Sequence, residues 1–306
     1  DFGADLTIVE EANEFLGRVQ NGGVLPMITS CSPGWIKYCE HYYPDMLDHL
    51  STCKSPQQMS GAIIKTWYAE KMGIDPKDIV VVGIMPCTAK KFETKRDDQA
   101  ASGYPDVDYS LTTRELGRMI ESAGIYFKHL PDEEFDNPLG DSTGAAVIFG
   151  ATGGVMEAAL RTAVEKLSGE ELKSLDFTEV RGTDGIKEAS YTVNGMEVKV
   201  CVVSGLANAN TFMEKVKNGT ADYHFIEIMG CPGGCVNGGG QPIQHAVVRN
   251  FVDLRARRAA ALYEADKDMP LRKSHESEAV KRLYDEFLGE PGSHKAHEVL
   301  HTSYVA

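Results

Sequence analysis

Short apolar runs alternate with longer segments of helical periodicity, and this alternation limits the possible folds more than any other feature of the chain. The helical segments repeat apolar residues at i, i+3 and i+4 and stop at glycine, as amphipathic helices do. Strands that alternate with helices predict a mostly parallel sheet flanked by helices, an α/β fold. The predicted strands are 24–29, 79–85, 145–150, 198–205 and 224–230, and the predicted helices are 8–22, 56–73, 112–124, 153–169 and 209–219.

Length and charge narrow the organisation and the partners. A chain of 306 residues suits one large domain or two lobes. We expect residues 1–250 to form this domain and the charged, helical residues 251–306 to form its peripheral tail. The net charge of −14 argues against nucleic acid and an anionic membrane as partners. The sequence starts without Met or a signal segment, so we expect a first lobe that is truncated at its start. The cysteine content favours a reduced, cytoplasmic protein in which some cysteines bind metal.

Seven cysteines are too few for a disulfide framework in a chain of this length. Cys31, Cys87 and Cys231 each follow a predicted strand, and Cys235 comes one turn after Cys231. Ligands of open α/β sheets bind at the carboxyl ends of strands, so these thiols should converge. Thiolates from several strand ends favour iron–sulfur chemistry. Two alternatives stay open, unrelated buried cysteines and a structural zinc site, although only Cys231 and Cys235 form a close pair. The other cysteines are expected to be structural: Cys39, Cys53 and Cys201.

Three motifs carry a resemblance to a known family. TSCSPGW (29–35), MPCTAKKFE (85–93) and EIMGCPGGCVNGGGQP (227–242) resemble, in this order, the signature segments of the FeFe-hydrogenases. The resemblance implies two lobes of mostly parallel sheet with a metal cluster in the cleft between them. It also implies reversible reduction of protons to H2. The implied cofactor is a 4Fe–4S cubane joined to a diiron unit that carries CO, cyanide and azadithiolate.

The resemblance also implies roles for individual residues. Cys87, Cys231 and Cys235 fall on cluster-ligand positions, and Cys31 falls on the position that passes protons to the cofactor. Lys90 would hydrogen-bond an iron-bound cyanide through a charge-assisted contact. The remaining cofactor-binding positions would line the diiron pocket or lie near its ligands: Met85, Met229, Phe149, Gly150, Ser55 and Gln57.

Ser32 is the departure from the family pattern, because the family has a second cysteine there. We interpret this position as the one that bridges the cubane and the diiron unit. A serine hydroxyl has a far higher pKa than a thiol and is a poor iron ligand. Three explanations stay open: an incompletely assembled site, ligation by a serine alkoxide, or replacement of the ligand by Cys31. The same serine supports an alternative function, a non-catalytic sensor or iron–sulfur relative that keeps only the cubane.

An acidic stripe on the first helix could carry protons. Glu11, Glu14 and Arg18 share one helical face, which by itself indicates a solvated surface with a Glu14–Arg18 pair. The resemblance implies a relay that runs from solvent through Arg18, Glu14, Ser51, Glu11 and a water to Cys31. The sequence contains no ferredoxin-type cysteine run, so electrons would come from a ferredoxin or from an accessory iron–sulfur domain or subunit.

A rival motif lies near the end of the chain. Residues 297–301 read HEVLH and fit the H-E-x-x-H pattern of zinc proteases, in which two histidines bind the metal and the glutamate is the base. This interpretation leaves the three cysteine segments unexplained, so we regard the match as fortuitous.

Overall fold

The computed structural model describes residues 2–305, which form an α/β fold. The helices are α1 Phe2–Asn21, α2 Pro33–Tyr42, α3 Pro56–Ile63, α4 Ala69–Met72, α5 Lys90–Glu93, α6 Thr113–Ser122, α7 Gly144–Val147, α8 Gly154–Ser168, α9 Leu206–Lys217, α10 Ala246–Phe251, α11 Leu254–Asp268, α12 Glu278–Leu283 and α13 His294–Leu300. The strands are β1 Met27–Ile28, β2 Val82–Met85, β3 Tyr109–Thr112, β4 Ile186–Val193, β5 Met196–Ser204 and β6 Phe225–Met229.

The strands form two separate sheets. The larger sheet has the order β1-β6-β5-β4, in which β6 runs parallel to both β1 and β5. The smaller sheet consists of the parallel pair β2 and β3. The mostly parallel α/β architecture is therefore confirmed. The antiparallel β4–β5 hairpin turns at Asn194 and Gly195, both with positive φ, as a tight Asn-Gly turn requires.

Helix α1 occupies the centre of the molecule. Its residues Ile8, Ala12 and Phe15 belong to the apolar cluster under the larger sheet. Phe2 and Leu6, on the same helix, join a second cluster with α3, α12 and α13. Buried residues of α12 and α13 thus pack beside α1. Within residues 2–305, none of the helices has the length and apolarity needed to cross a bilayer.

The predicted strand 145–150 is wrong. This run forms α7 and a 3-10 turn, Ile148–Gly150, that packs between α8 and α11. Because Ala145, Ala146 and Ile148 are all buried, the run has no polar face, and a short apolar run of this kind fits a buried helix as well as a strand. The other predicted strands are confirmed, three of them with shorter bounds, whereas β5 begins at Met196, before the predicted start at 198. The predicted helices are confirmed as well, with a π turn at Ile64–Tyr68 joining α3 to α4.

Candidate metal centre and proton relay

The three cysteine segments meet at the carboxyl ends of strands from both sheets. Cys31 and Cys231 follow β1 and β6 of the larger sheet, and Cys87 follows β2 of the smaller one. The amide of Gly230 donates to the Ser32 hydroxyl over 3.1 Å. The amide of Gly240 donates to the Pro86 carbonyl over 3.0 Å. The fold thus joins the loop at 230–240 to both other segments.

The glycines of this loop permit its close packing. A Cβ atom at Gly238 would lie 2.0 Å from the Pro86 carbonyl oxygen. One at Gly234, whose φ is 92°, would lie 2.6 Å from the Thr152 amide nitrogen. Only glycine fits such contacts without displacing backbone, so the GGxxxGGG pattern fixes where Cys231 and Cys235 are held.

Burial separates the cysteines into two groups. Cys39, Cys53 and Cys201 are fully buried, as expected of structural residues. The cysteines of the three motifs keep partial exposure, as groups around a shared cavity would: Cys31, Cys87, Cys231 and Cys235. This division matches the one that the sequence predicts.

The thiols of the second group affect one another electrostatically. Burial first, and then the electrostatic effect of the neighbouring Cys87, raise the pKa of Cys231 and raise that of Cys235 to about 12. The Lys90 ammonium partly offsets the shift at Cys235. Burial raises the pKa of Cys31 well above its ordinary value, and Glu11 and Cys235 raise it further. A cationic cluster is what would keep such thiols deprotonated.

The donor set fits an iron–sulfur cluster at three of its four positions. Soft sulfur ligands come from Cys87, Cys231 and Cys235. The fourth candidate, Ser32, has a hydroxyl that accepts a hydrogen bond from the Gly230 amide and makes no capping bond to the start of α2. Among residues 2–305, these cysteines are not one of the groups whose ligand atoms all lie within 4.8 Å of one another.

Lys90 has partners that sequence reasoning overlooked. Its ammonium donates to the Cys31 carbonyl over 3.1 Å and to the Glu93 carboxylate over 2.9 Å. The Gln57 amide donates to the same carboxylate over 3.3 Å. Glu227 is the second overlooked residue, since it is fully buried and accepts from the amide of Gly153 over 2.7 Å. Both glutamates stand inside the quoted motifs, at the last position of MPCTAKKFE and the first of EIMGC.

The other cofactor-lining candidates occupy mixed positions. Met229 ends β6 and is buried in the apolar cluster that Phe149 and Cys31 border. Gly150 lies against Gly234, so it is near the cysteine loop. Met85 is the half-buried last residue of β2. Ser55 is the N-cap of α3, where its hydroxyl accepts from the Gln58 amide, and this structural role accounts for it.

The acidic stripe of α1 is largely buried instead of solvated. The Glu14 carboxylate accepts hydrogen bonds from the Arg18 guanidinium over 2.7 Å and from the Ser51 hydroxyl over 3.0 Å. It also accepts from the Thr52 amide over 3.0 Å. Glu14 and Arg18 are only 12% and 13% exposed. These contacts bring Arg18, Glu14 and Ser51 together in the order that the predicted relay requires.

Glu11 lies deeper, between this group and Cys31. Both of its carboxylate oxygens are buried without a hydrogen-bond partner in the described structure. Burial, and then repulsion from Glu14, raise the pKa of Glu11 to about 8, and the nearby Ser51 hydroxyl offsets part of the shift. A carboxyl group with a pKa near neutrality can accept and release protons at physiological pH.

The HEVLH motif does not assemble as a zinc site. The ring nitrogens of His301 face the Glu10 carboxylate at 3.2 Å and the Thr52 hydroxyl at 2.7 Å. Glu298 pairs with Lys295 on the surface. Within the part of the chain that the structure describes, the groups of clustered metal-type ligands do not include His297.

Comparison with known proteins places the chain in a family. Residues 1–239 match the C-terminal domain of the iron-only hydrogenase large subunit, and residues 252–306 match the iron hydrogenase small subunit. The chain belongs to the iron-only hydrogenase family. It is similar to the NADP-reducing hydrogenase subunit HndD of Solidesulfovibrio fructosivorans, with 51% identity over 99% of this chain and 52% of the relative. The chain thus spans about half the length of this curated relative.

A solved structure and a more distant relative complete the comparison. The [FeFe]-hydrogenase HydA1 from Chlamydomonas reinhardtii superposes with a TM-score of 0.86 at 45% identity and covers 100% of this chain and 83% of its own. Protein NAR1 of Arabidopsis thaliana is 32% identical over 98% of this chain and 68% of the relative. The fold and the three motifs are therefore those of the iron-only hydrogenase family.

Proposed function

We propose that this chain is the catalytic part of an FeFe-hydrogenase that reversibly reduces protons to H2. The observation that carries the proposal is that three cysteine segments converge at one site. A row of buried polar side chains, from Arg18 through Glu14 and Ser51 to Glu11, leads toward this site. When bound, a 4Fe–4S cubane with a diiron unit bearing CO, cyanide and azadithiolate would supply the electron transfer and the proton reduction.

The cubane would be held by Cys87, Cys231 and Cys235, with Ser32 at the fourth position. The electrostatic neighbours of Cys235 support a revised assignment of the bridging ligand. Lys90 lowers the pKa of Cys235, and Cys235 raises the pKa of Cys31, whereas among the described residues Cys87 is the only neighbouring charge that shifts the pKa of Cys231. Lys90 and Cys31 are the residues assigned to the diiron side, so we assign the bridge to Cys235 instead of Ser32.

The chain's own residues would move protons to the cofactor. Arg18 and Glu14 would exchange protons with solvent, and Ser51 would pass them between the two carboxyl groups. Glu11 would hold a proton near neutral pH and deliver it through a water to the Cys31 thiol. Lys90, fixed by Glu93, would orient the diiron ligands, and Met85, Met229, Phe149 and Gly150 would keep water out.

The remaining assignments follow the same proposal. Residues 1–250 would form the cluster domain, and residues 251–306 would complete it. A ferredoxin or an accessory iron–sulfur domain or subunit would supply electrons, and the protein would act in the cytoplasm.

Replacing single cysteines tests the cluster assignment. We expect Cys87→Ala, Cys231→Ala and Cys235→Ala each to abolish cubane binding, because each removes a thiolate ligand. Iron and acid-labile sulfide per chain are measured after identical reconstitution. Cys201→Ala is the matched control, since Cys201 is buried away from the site and should leave iron loading unchanged. Full iron loading in any of the three variants would contradict the assignment.

Ser32 and the similarity to NAR1 favour a second candidate, a relative that keeps the cubane and lacks the diiron unit. Infrared spectroscopy separates the two functions, because bound CO and cyanide absorb where proteins do not. We expect these bands, together with hydrogen evolution from a low-potential dye, after loading with the complete cofactor. A chain that binds a cubane but shows neither would be the non-catalytic relative.

A further inference from the structure

The end of the chain reaches the relay through His301. Its Nε2 lies 3.2 Å from the Glu10 carboxylate, and its Nδ1 lies 2.7 Å from the Thr52 hydroxyl. The Glu10 and His301 side chains are 0% and 6% exposed, so both contacts are screened from water. The His301 imidazole thus joins a carboxylate oxygen, which can accept a hydrogen bond, to a hydroxyl, which can either donate or accept one.

Glu10 is itself held in place. The Tyr284 hydroxyl and the Gly292 amide both donate to its carboxylate. The imidazole therefore has a fixed anchor on one side, and its contact with Thr52 on the other side is directed.

Thr52 is the residue on which Glu14 depends. Its amide donates to both Glu14 oxygens, over 3.2 and 3.0 Å, beside the Ser51 hydroxyl. Ligand atoms of Glu14, Cys53 and His301 all lie within 4.8 Å of one another, so the imidazole directly adjoins this part of the relay.

The backbone around His301 strengthens the same connection. Cys53 and His301 form an antiparallel β-bridge, and the amide of Thr302 donates to the Thr52 carbonyl over 2.8 Å. The Tyr304 hydroxyl donates to the Ser51 carbonyl over 3.1 Å. Side chains and backbone of residues 301–304 thus hold residues 51–53 in place. This segment supplies two donors to Glu14, the Ser51 hydroxyl and the Thr52 amide.

We propose that His301 is a positioning residue of the proton relay, which holds Thr52 so that its amide and the Ser51 hydroxyl stay directed at Glu14. The inference rests on the proposed function for its effect on turnover, but the contact itself does not. It gives the second histidine of HEVLH a role that involves no metal.

Three variants test the proposal. His301→Ala removes both contacts of the imidazole. His301→Asn places an amide oxygen near the position of Nδ1, where it can accept a hydrogen bond from the Thr52 hydroxyl. His297→Ala is the matched control, because the His297 ring contacts the His301 ring at a tilt, with centroids 4.0 Å apart, but is exposed and makes no side-chain hydrogen bond within the described residues.

We expect His301→Ala to slow hydrogen evolution by about tenfold, since small displacements of a reacting group are costly. Iron per chain should stay unchanged and the ratio of rates in H2O and D2O should rise. His301→Asn should recover most of the rate, and His297→Ala should stay within about twofold of the unaltered chain. Turnover unchanged in His301→Ala would overturn the proposal. So would equal losses in the Ala and Asn variants together with lower iron loading, since that result means a purely structural role.

Hydrogen exchange gives a readout that is independent of turnover. The Thr52 amide of the full chain should exchange faster in His301→Ala than in His297→Ala, and amides within α8 should not change. Unchanged exchange at Thr52 overturns the proposal. If the unaltered chain evolves no hydrogen, the proposed function fails, and the exchange rates still decide whether His301 positions Thr52.

Discussion

Replacing Glu11 by Gln should make the protein more stable at neutral pH and remove its activity. The structure raises the pKa of Glu11 from 4.5 to about 8, chiefly by burial. Between these pH values the folded chain retains a proton that the unfolded chain releases. Rising pH therefore favours unfolding, and this contribution to stability is lost progressively until the pH passes the folded pKa.

The size of the effect follows from the shift. Each pH unit in this window lowers the free energy of unfolding by about 1.4 kcal/mol. The loss reaches about 3 kcal/mol at pH 7 and levels off near about 5 kcal/mol above pH 8. Glutamine has the shape of the protonated carboxyl group and no titration, so Glu11→Gln should escape this loss.

The assay is denaturant unfolding of both proteins without cofactor, from about pH 5 to about pH 9. Other titrating groups are common to both chains, so the difference between the two curves isolates Glu11. Glu14→Gln is the control, because the Glu14 carboxylate has Arg18, Ser51 and Thr52 as partners and its replacement should not stabilise. Curves that stay parallel within about 1 kcal/mol would refute the reasoning, because Glu11 would then ionise without cost. The loaded Glu11→Gln enzyme should lose at least about 100-fold in hydrogen evolution.

Three further outcomes are expected. Glu14→Gln should slow hydrogen evolution by about 100-fold with iron per chain unchanged, and full activity at every pH would show another proton route. Ser32→Cys should raise iron per chain and hydrogen evolution after identical loading, because a thiolate binds iron far better than a hydroxyl does; equal values would show that serine suffices. Phe212→Ala should lower the free energy of unfolding by about 3 to 5 kcal/mol, since Phe212 is fully buried, and a loss below about 1 kcal/mol would contradict the packing described.

Sequence patterns predicted the elements that carry the site better than the elements beside them. The glycine-bounded helices and the strands before Cys31, Cys87 and Cys231 are present because periodicity and turn residues agree there. The β4–β5 hairpin was missed, although Asn194 and Gly195 are a strong hairpin signal. Strand β3 is short and half-exposed, and it pairs with β2, which lies in a separate segment of the chain. No local sequence pattern therefore predicts β3 or its pairing with β2.

The site shows the same limit. Cysteine spacing relative to strand ends predicted convergence, because strand direction alone decides where those residues lie. The Lys90–Glu93 pair has the i, i+3 spacing of one helix and could be predicted from the sequence. The contact of His301 with Thr52, in contrast, spans 249 positions of the chain, which no local spacing encodes. The raised pKa of Glu11 likewise comes from burial, which a stripe of charged residues on a helix does not suggest.

The pairing of the chain's end with the segment at 52–54 has a consequence for folding order. The Lys54 amide donates to the Leu300 carbonyl and the Thr302 amide donates to the Thr52 carbonyl, so these contacts close only after residue 302 has left the ribosome. Contacts of such long range form late and slow the final folding step. The relay segment therefore stays open to water during synthesis, and the dry environment that sets Glu11 apart is among the last features of the molecule to form.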